Sequence, residues 1–258
     1  MSTHSDAAIY EISSGIATII LNRPENKNAL SVEMVNAIGD CFDKAQNDPS
    51  IRVVLFTNNG NTFCAGADLK AAAPGVVQPE ARHTFTKILD DIMESPKPVI
   101  GSIAGHCTGG GVGLAAAFDI SVAADDIIFG FTEVRIGVAP AVISVVCLPK
   151  LSRANASELF LSGEKIPAER AAYIGLINQA VPRSELDLAV SETIGKVVKG
   201  GPNALAASKQ LVSKVPQMQR SEAWEWTSHL SQSLFKSEEA QEGIGAFKER
   251  RDPNWVPK

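Results

Sequence analysis

In two short segments near the start of the chain, every second residue is apolar. Residues 8–13 and 16–21 follow this period of two on either side of Ser14-Gly15, so they predict a β-hairpin. Continuous apolar runs bounded by turn-forming residues predict further, buried strands, at 51–57, 99–104, 120–124 and 127–131.

Elsewhere the apolar residues recur at helical spacing. Ser31 is placed to cap a helix that would bury the periodic residues Val35, Ile38, Phe42 and Ala45. The same spacing, punctuated by glycine and proline, predicts more helices, at 80–93, 154–161, 167–174, 184–199, 202–212, 221–234 and 238–250. Strands alternate with helices until about residue 182, which predicts an α/β core at 1–198 and a helical C-terminal region at 199–258.

Two glycine-containing turns stand out between these elements. A predicted strand at 99–104 leads into Gly109-Gly110-Gly111 and then into an alanine-rich segment that predicts a buried helix. A strand, a glycine turn and a helix N-terminus leave backbone N–H groups unpaired, which favours an anion or a developing oxyanion. The segment 62–70 has a similar character, since it begins like a strand and breaks at Gly66. Residues 71–78 then predict a mobile loop.

Composition excludes several classes of function. The chain has 258 residues, a formal net charge of −5 and no basic stripe, so no nucleic-acid partner is expected. No apolar stretch is long enough for a membrane span, and the N-terminus lacks the basic and apolar regions of a signal peptide. The cysteines lie far apart without paired spacing, which predicts free thiols in a reducing, cytoplasmic setting.

Other catalytic motifs are weak or missing. The segment 111–116 fits the loose dinucleotide fingerprint, but the next strand ends at Asp125-Asp126, too early for the required acidic residue. His106 next to Cys107 is more typical of a packed pair than of a catalytic dyad. No metal site is predicted, since no His/Cys set has zinc-ligand spacing. A serine hydrolase triad is not supported either, because there is no Gly-x-Ser-x-Gly elbow.

Glu133 is the candidate for proton chemistry. It lies among apolar and aromatic neighbours in the segment 130–137, and such surroundings disfavour the ionised carboxylate, which suits proton transfer near neutral pH. The alternative is a structural role, in which the carboxylate pairs with Arg135 or caps the following turn. The local sequence leaves both interpretations open.

Six motifs occur in order along almost the whole chain: Leu21-Asn22-Arg23-Pro24 with Asn28-Ala29-Leu30, 63–70, the triple glycine with Asp119-Ile120, 132–137, 171–177 and 246–255. Together they resemble the crotonase superfamily, the enoyl-CoA hydratases and isomerases. The resemblance implies an α/β fold built as a spiral of ββα units, with a helical C-terminal trimerisation region. It also implies an acyl-CoA thioester as substrate, a homotrimer or dimer of trimers, and no cofactor besides the CoA of the substrate.

The resemblance assigns roles by motif position. The backbone N–H groups that grip the thioester carbonyl fall on Ala67 and Gly110, and each such donor to an enolate oxygen is worth about 3 kcal/mol. Glu133 falls on the acid/base position. The residues implied along the path of the CoA are Ala65, Asp68, Leu69, Lys70, Arg23 and Lys27. For Asp68, a simple helix cap is the alternative.

One departure from the family pattern affects the mechanism. Enoyl-CoA hydratases commonly carry a further glutamate, and its position falls on Gly113, beside the reacting carbons. Glu133 would then activate water alone, with a second water in the space beside Gly113, or it would shuttle a proton as in the single-glutamate Δ3-Δ2 isomerases. Similarity of 111–113 and 139–144 to bacterial methylglutaconyl-CoA and related branched enoyl-CoA hydratases favours hydration. A non-catalytic acyl-CoA-binding protein is the third hypothesis.

Overall fold

The computed structural model describes residues 6–70 and 79–256, so the loop predicted at 71–78 lies outside the described residues. Within the described ranges the chain forms ten strands: β1 Ala8–Ser13, β2 Ile16–Leu21, β3 Val53–Asn58, β4 Thr62–Cys64, β5 Val99–Ile103, β6 His106–Thr108, β7 Ile120–Ala124, β8 Ile128–Gly130, β9 Lys165–Pro167 and β10 Gln179–Val181. The same ranges contain ten α-helices: α1 Val32–Asn47, α2 Phe85–Glu94, α3 Gly110–Ala117, α4 Ala141–Cys147, α5 Arg153–Ser162, α6 Ala168–Tyr173, α7 Leu186–Val197, α8 Pro202–Lys214, α9 Arg220–Phe235 and α10 Glu238–Glu249.

The strands form two sheets that the chain visits in turn. A six-stranded sheet has the order β1-β2-β3-β5-β7-β10, and a four-stranded sheet has the order β4-β6-β8-β9. Each of the units β3-β4-α2, β5-β6-α3 and β7-β8-α4 places its first strand in the larger sheet and its second in the smaller one. The predicted α/β class and its repetition of ββα units are confirmed.

Aromatic side chains fill the space beside the larger sheet. Phe56 of β3 stacks on Phe118 with 4.9 Å between the ring centroids, and Phe63 meets Phe118 edge to face. Gly101 of β5 makes room for this ring, because a Cβ there would lie 2.5 Å from Phe118 Cδ2. The core therefore fixes the end of α3, whose beginning carries the glycine turn.

The predicted helix at 80–93 begins five residues late, at Phe85. The preceding segment is held by Asn36 of α1, whose side-chain amide donates to the Glu80 carbonyl at 2.7 Å and whose Oδ1 accepts the N–H of Arg82 at 2.9 Å. Because these backbone groups bond to a side chain, they do not enter a helix. The Thr84 hydroxyl caps α2 instead.

Three short strands were not predicted, namely β6, β9 and β10. Each has only three residues, too few for a hydrophobic period to show. The corner between β5 and β6 lies at Gly105, where a Cβ would come within 2.5 Å of Phe63 N. The chain crosses there from the larger sheet to the smaller one.

The helices α8 to α10 follow the last strand and leave the sheets. Lys209 of α8 contacts the core through an ion pair with Asp119, with 2.7 Å between Nζ and Oδ2. None of the helices in the described part of the chain is long and apolar enough to cross a membrane.

Candidate active site

Three loops meet at one edge of the smaller sheet. The strands β4, β6 and β8 are parallel neighbours, so their carboxyl ends lie side by side. Gly66-Ala67 follows β4, Gly109-Gly110 follows β6, and Thr132-Glu133 follows β8. Ligand sites in sheets of parallel strands are built at this edge, beyond the carboxyl ends of the strands.

The loop after β4 and the loop after β6 approach each other so closely that only glycine fits at position 66. Gly66 has φ +85°, and a Cβ there would lie 2.9 Å from Gly110 N and 3.0 Å from the Thr108 carbonyl oxygen. The Thr108 hydroxyl also donates to the Ala65 carbonyl at 3.1 Å. These contacts hold the two predicted carbonyl-binding loops against one another.

Ala67 and Gly110 present their N–H groups at this junction. Gly110 is the first residue of α3, where an N–H has no partner within the helix, and Ala67 is an exposed residue. Among the residues that the structure describes, neither N–H has a hydrogen-bond acceptor. The structure therefore brings together the two donors that the motifs predict for the thioester carbonyl.

Two apolar side chains that sequence reasoning missed lie beside these donors. A Cβ at Gly110 would lie 2.5 Å from Leu30 Cδ1 and 3.4 Å from the Phe85 ring. The Leu30 N–H also donates to the Gly66 carbonyl at 2.8 Å, which pairs the segment before α1 with Ala67. Apolar neighbours exclude water, and this strengthens a hydrogen bond to a developing charge. Leu30 belongs to the family motif Asn28-Ala29-Leu30, whereas no local sequence pattern indicates a role for Phe85.

Glu133 lies in a 3-10 turn, Thr132–Ile136, that ends at Gly137 with φ +79°. Its Oε1 would be 3.3 Å from a Cβ at Gly109, and its buried Oε2 accepts no hydrogen bond from any described residue. Burial raises the pKa of this carboxyl above its ordinary value of 4.5, although its own backbone N–H acts in the opposite direction. No ion pair with Arg135 forms among the described residues. A half-buried carboxyl group without a salt-bridge partner is suited to accept and return a proton.

The space beside Gly113 is not open to water. Gly113 is buried, and a Cβ there would lie 2.3 Å from Ile143 Cγ2 and 2.9 Å from Ile143 Cβ. The expectation of a second water at this place is therefore wrong, because the side chain of Ile143 fills it. Ile143 lies 30 positions further along the chain, in α4, and no local sequence pattern predicts its contact with Gly113.

The two segments predicted along the path of the CoA lie together. The Lys27 carbonyl accepts the Ala65 N–H at 3.1 Å, and the Asn26 side chain donates to Asp68 Oδ2 at 2.8 Å. Asp68 Oδ1 accepts the Lys70 N–H at 3.0 Å, so this carboxylate orders a turn.

Among the cations of these segments, Arg23 forms ion pairs with Glu33 and, at 3.8 Å, with Glu25. Lys27, Leu69 and Lys70 are exposed, and neither lysine has an ion-pair partner among the described residues.

His106 and Cys107 do not form a dyad. His106 Nδ1 accepts the Ile128 N–H at 3.2 Å, while the thiol of Cys107 is fully buried and burial raises its pKa well above 9.0. Successive strand residues point to opposite faces, which keeps the two side chains apart. No group of metal ligands occurs within the described residues.

A surface cleft of about 790 Å³ opens beside these loops; it is lined by Thr108, Thr132, Arg135, Gly163, Glu164 and Lys165. It adjoins the strand ends through its two threonines, but Ala67, Gly110 and Glu133 do not line it. The site is therefore defined by the three converging loops.

Two backbone donors at one junction, with a half-buried carboxyl group on the adjoining loop, form an arrangement suited to acid–base chemistry on a carbonyl compound. The chain belongs to the enoyl-CoA hydratase/isomerase family, whose model matches residues 11–258. The resemblance to the crotonase superfamily is thus confirmed.

Individual relatives agree with this membership. The carnitinyl-CoA dehydratase of Salmonella enteritidis PT4 is 35% identical over 249 residues, which cover 93% of this chain and 94% of that protein. The solved enoyl-CoA hydratase of Mycobacterium smegmatis is 29% identical, with a TM-score of 0.89 over 97% of this chain and 99% of that one. Human enoyl coenzyme A hydratase domain-containing protein 3 is 27% identical, with a TM-score of 0.90 over 96% and 99%.

Proposed function

We propose that this protein adds water to 2-enoyl-CoA thioesters, including branched ones, and catalyses the reverse dehydration. Glu133 is the acid/base residue, and the N–H groups of Ala67 and Gly110 hold the thioester oxygen. The observation that carries the proposal is the buried, unpartnered Oε2 of Glu133 on the loop beside these two donors. The 35% identity to a carnitinyl-CoA dehydratase supports water addition or removal as the reaction class.

The proposed reaction begins with ionised Glu133. The carboxylate takes a proton from a water molecule while the oxygen of that water bonds to the β-carbon. The electrons of the double bond move to the thioester oxygen. The two N–H groups stabilise this enolate oxygen, each by about 3 kcal/mol. Glu133 then returns the proton to the α-carbon, so the carboxylate is regenerated and one water has been added.

The CoA part of the substrate is proposed to run along Ala65, Asp68, Leu69 and Lys70 and the facing loop from Arg23 to Lys27. Lys27 and Lys70 are better placed than Arg23 to meet phosphate groups, since Glu33 engages the Arg23 guanidinium. No separate cofactor enters this reaction.

Double-bond isomerisation is the second candidate, and Ile143 is the observation that favours it. Because Ile143 fills the space beside Gly113, there is no room there for a second carboxylate or a water. A single carboxyl group can move one proton between the α- and γ-carbons without water. The third hypothesis, acyl-CoA binding without turnover, would leave the raised pKa of Glu133 without a catalytic role.

Product analysis distinguishes the three. We would incubate the protein with a 2-enoyl-CoA and, separately, with the matching 3-enoyl-CoA, and identify products by chromatography and mass spectrometry. A 3-hydroxyacyl-CoA product from the 2-enoyl substrate is expected, with a loss of about 10³-fold in Glu133→Gln, the scale of acid–base catalysis. The exposed Glu169→Gln is the matched control. Only a shifted double bond would establish the isomerase, and binding without turnover would establish the third hypothesis.

We also propose that the C-terminal helices mediate assembly into a trimer or a dimer of trimers. Large apolar side chains are exposed on α8 to α10, namely Val212 at 79%, Trp224 at 69%, Phe235 at 67% and Phe247 at 85%. Apolar surface of this kind is typical of an interaction site. Light scattering should give three or six times the chain mass of 27.3 kDa, reduced in Trp224→Glu; a monomer would contradict the proposal.

All four cysteines are buried free thiols, which supports the proposed cytoplasmic setting.

A further inference from the structure

Gly113 and Ile143 form a matched pair in which one residue supplies the side chain that the other lacks. The Cγ2 and Cβ atoms of Ile143 lie 2.3 Å and 2.9 Å from where a Cβ of Gly113 would be. Ile143 is 3% exposed, so its side chain is committed to this place. Any larger residue at Gly113 would require Ile143 to move.

This pair and the Glu133 carboxyl group both contact the beginning of α3 and its N-cap. Gly109 and Gly113 are four residues apart at the start of α3, and the first faces Glu133 Oε1 while the second faces Ile143. Cys147 lies one turn after Ile143 in α4; burial raises the pKa of its thiol to about 12, and the Glu133 charge contributes to that rise. Glu133 and α4 thus both approach the N-terminal turn of α3, Glu133 at the N-cap Gly109 and Ile143 at Gly113.

We propose that Ile143 is a specificity-determining residue that keeps water away from the side of Glu133 facing α4. Its packing thereby sets the ratio of water addition to double-bond shift. This inference rests on the proposed function, because it takes Glu133 as the group that moves the proton.

The physical reason is the hydration of the carboxylate. A bound water needs two to four polar partners, and an isoleucine side chain offers none. Without water on this side, Glu133 can pass its proton from this side only to a carbon of the substrate. A water that adds to the substrate must then approach from another side. A polar group at position 143 would supply a hydrogen-bond partner for a water next to Glu133.

The test uses two nearly isosteric variants, Ile143→Thr and Ile143→Val. Both lose the δ-methyl group, and they differ in a hydroxyl that replaces a methyl. For each protein we would measure the initial rate of hydration of a 2-enoyl-CoA and the initial rate of isomerisation of the matching 3-enoyl-CoA. The hydration-to-isomerisation ratio should be about fivefold higher in Ile143→Thr than in Ile143→Val, the effect of one net hydrogen bond. Ile143→Leu should behave like Ile143→Val.

Equal ratios in the threonine and valine variants would overturn the inference while leaving the proposed function intact. No turnover of either substrate by the wild-type protein would overturn the proposed function, and the inference with it. Thermal melting of each variant shows whether it is folded. If Ile143→Thr does not fold, Ile143→Ala replaces it: its cavity should admit water, and a ratio equal to that of Ile143→Leu would overturn the inference.

Discussion

The carboxyl group of Glu133 links the stability of the fold to its chemistry. Burial raises its pKa above the ordinary value of 4.5, so the folded chain holds this proton at a higher pH than the unfolded chain does. The stability that the neutral carboxyl contributes is complete below the unfolded pKa and is lost as the pH rises through the folded pKa. At neutral pH, the carboxylate, which has no ion-pair partner among the described residues, therefore destabilises the folded chain.

Glu133→Gln should stabilise the protein at pH 7 and have little effect at pH 4. The neutral amide removes the cost of a half-buried charge, and we expect the Tm to rise by about 2 °C, the shift given by somewhat less than 1 kcal/mol in a chain of this size. Thermal melting at both pH values measures this, with Glu169→Gln as the control. A lower Tm at pH 7 would mean that the carboxylate is paired in the folded protein.

The backbone donor of Gly110 can be removed without removing a side chain. Proline is tolerated at the first position of a helix, where its missing N–H has no helical partner. Both Gly110→Pro and Gly110→Ala add a Cβ against Leu30, but only the proline removes the N–H. We expect hydration by Gly110→Pro to be about 10²-fold slower than by Gly110→Ala. Equal rates would exclude this donor from the mechanism.

Residue-scale prediction from sequence succeeds where a function imposes a local motif. The turns at Gly66 and Gly110 and the apolar surroundings of Glu133 are visible in short segments. The contact between Gly113 and Ile143 is not, because a close approach between two helices leaves no periodic pattern in either. The same holds for Phe85, which reaches Gly110 from a helix whose start depends on Asn36.

At the scale of elements, long segments are predicted well and short ones poorly. The hairpin of β1 and β2 has the predicted bounds, because twelve residues with one alternating pattern leave a single register that buries the apolar face. The strands β6 and β9, at three residues each, are set by pairing with β4 and β8 rather than by their own sequence. The loop that follows β6 carries one of the two donors. Because β6 was not predicted, the meeting of the three loops became visible only in the structure.

An ion pair helps to attach α8 to the core. Asp119 Oδ2 accepts the Val99 N–H at 2.7 Å as well as the Lys209 ammonium, and the side chain of Lys209 is 10% exposed. Burial raises the pKa of Asp119 and lowers that of Lys209, and each partner opposes the shift of the other by favouring its charged form.

Lys209→Met should therefore lower the free energy of unfolding by about 3 kcal/mol, because it leaves a partly buried carboxylate without its cation. The double variant Asp119→Asn with Lys209→Met should lose less, since no unpaired charge remains. Chemical denaturation of the two variants provides the comparison. A double variant less stable than the single one would contradict this account of the interface.

At the scale of the whole molecule, the spiral is what assembles the site. Each turn of the chain adds one strand to each sheet, so residues more than 60 positions apart, such as Ala67 and Glu133, arrive at the same edge of the smaller sheet, at the ends of the two strands that flank β6. The alternation of apolar segments predicted the α/β class, but the order of strands in two sheets follows from pairings between distant segments. The family motifs supplied that information because they belong to one known arrangement.

The most direct test of the central claim is the exchange of an α-proton with solvent. A saturated acyl-CoA in D₂O has no double bond to hydrate, so deuterium uptake reports only on Glu133 as base and on the two N–H groups that hold the enolate oxygen. We predict that the wild-type protein introduces deuterium at the α-carbon, faster as the pH rises through the raised pKa of Glu133, and that Glu133→Gln does not. Equal deuterium uptake by the wild type and by Glu133→Gln would contradict the account.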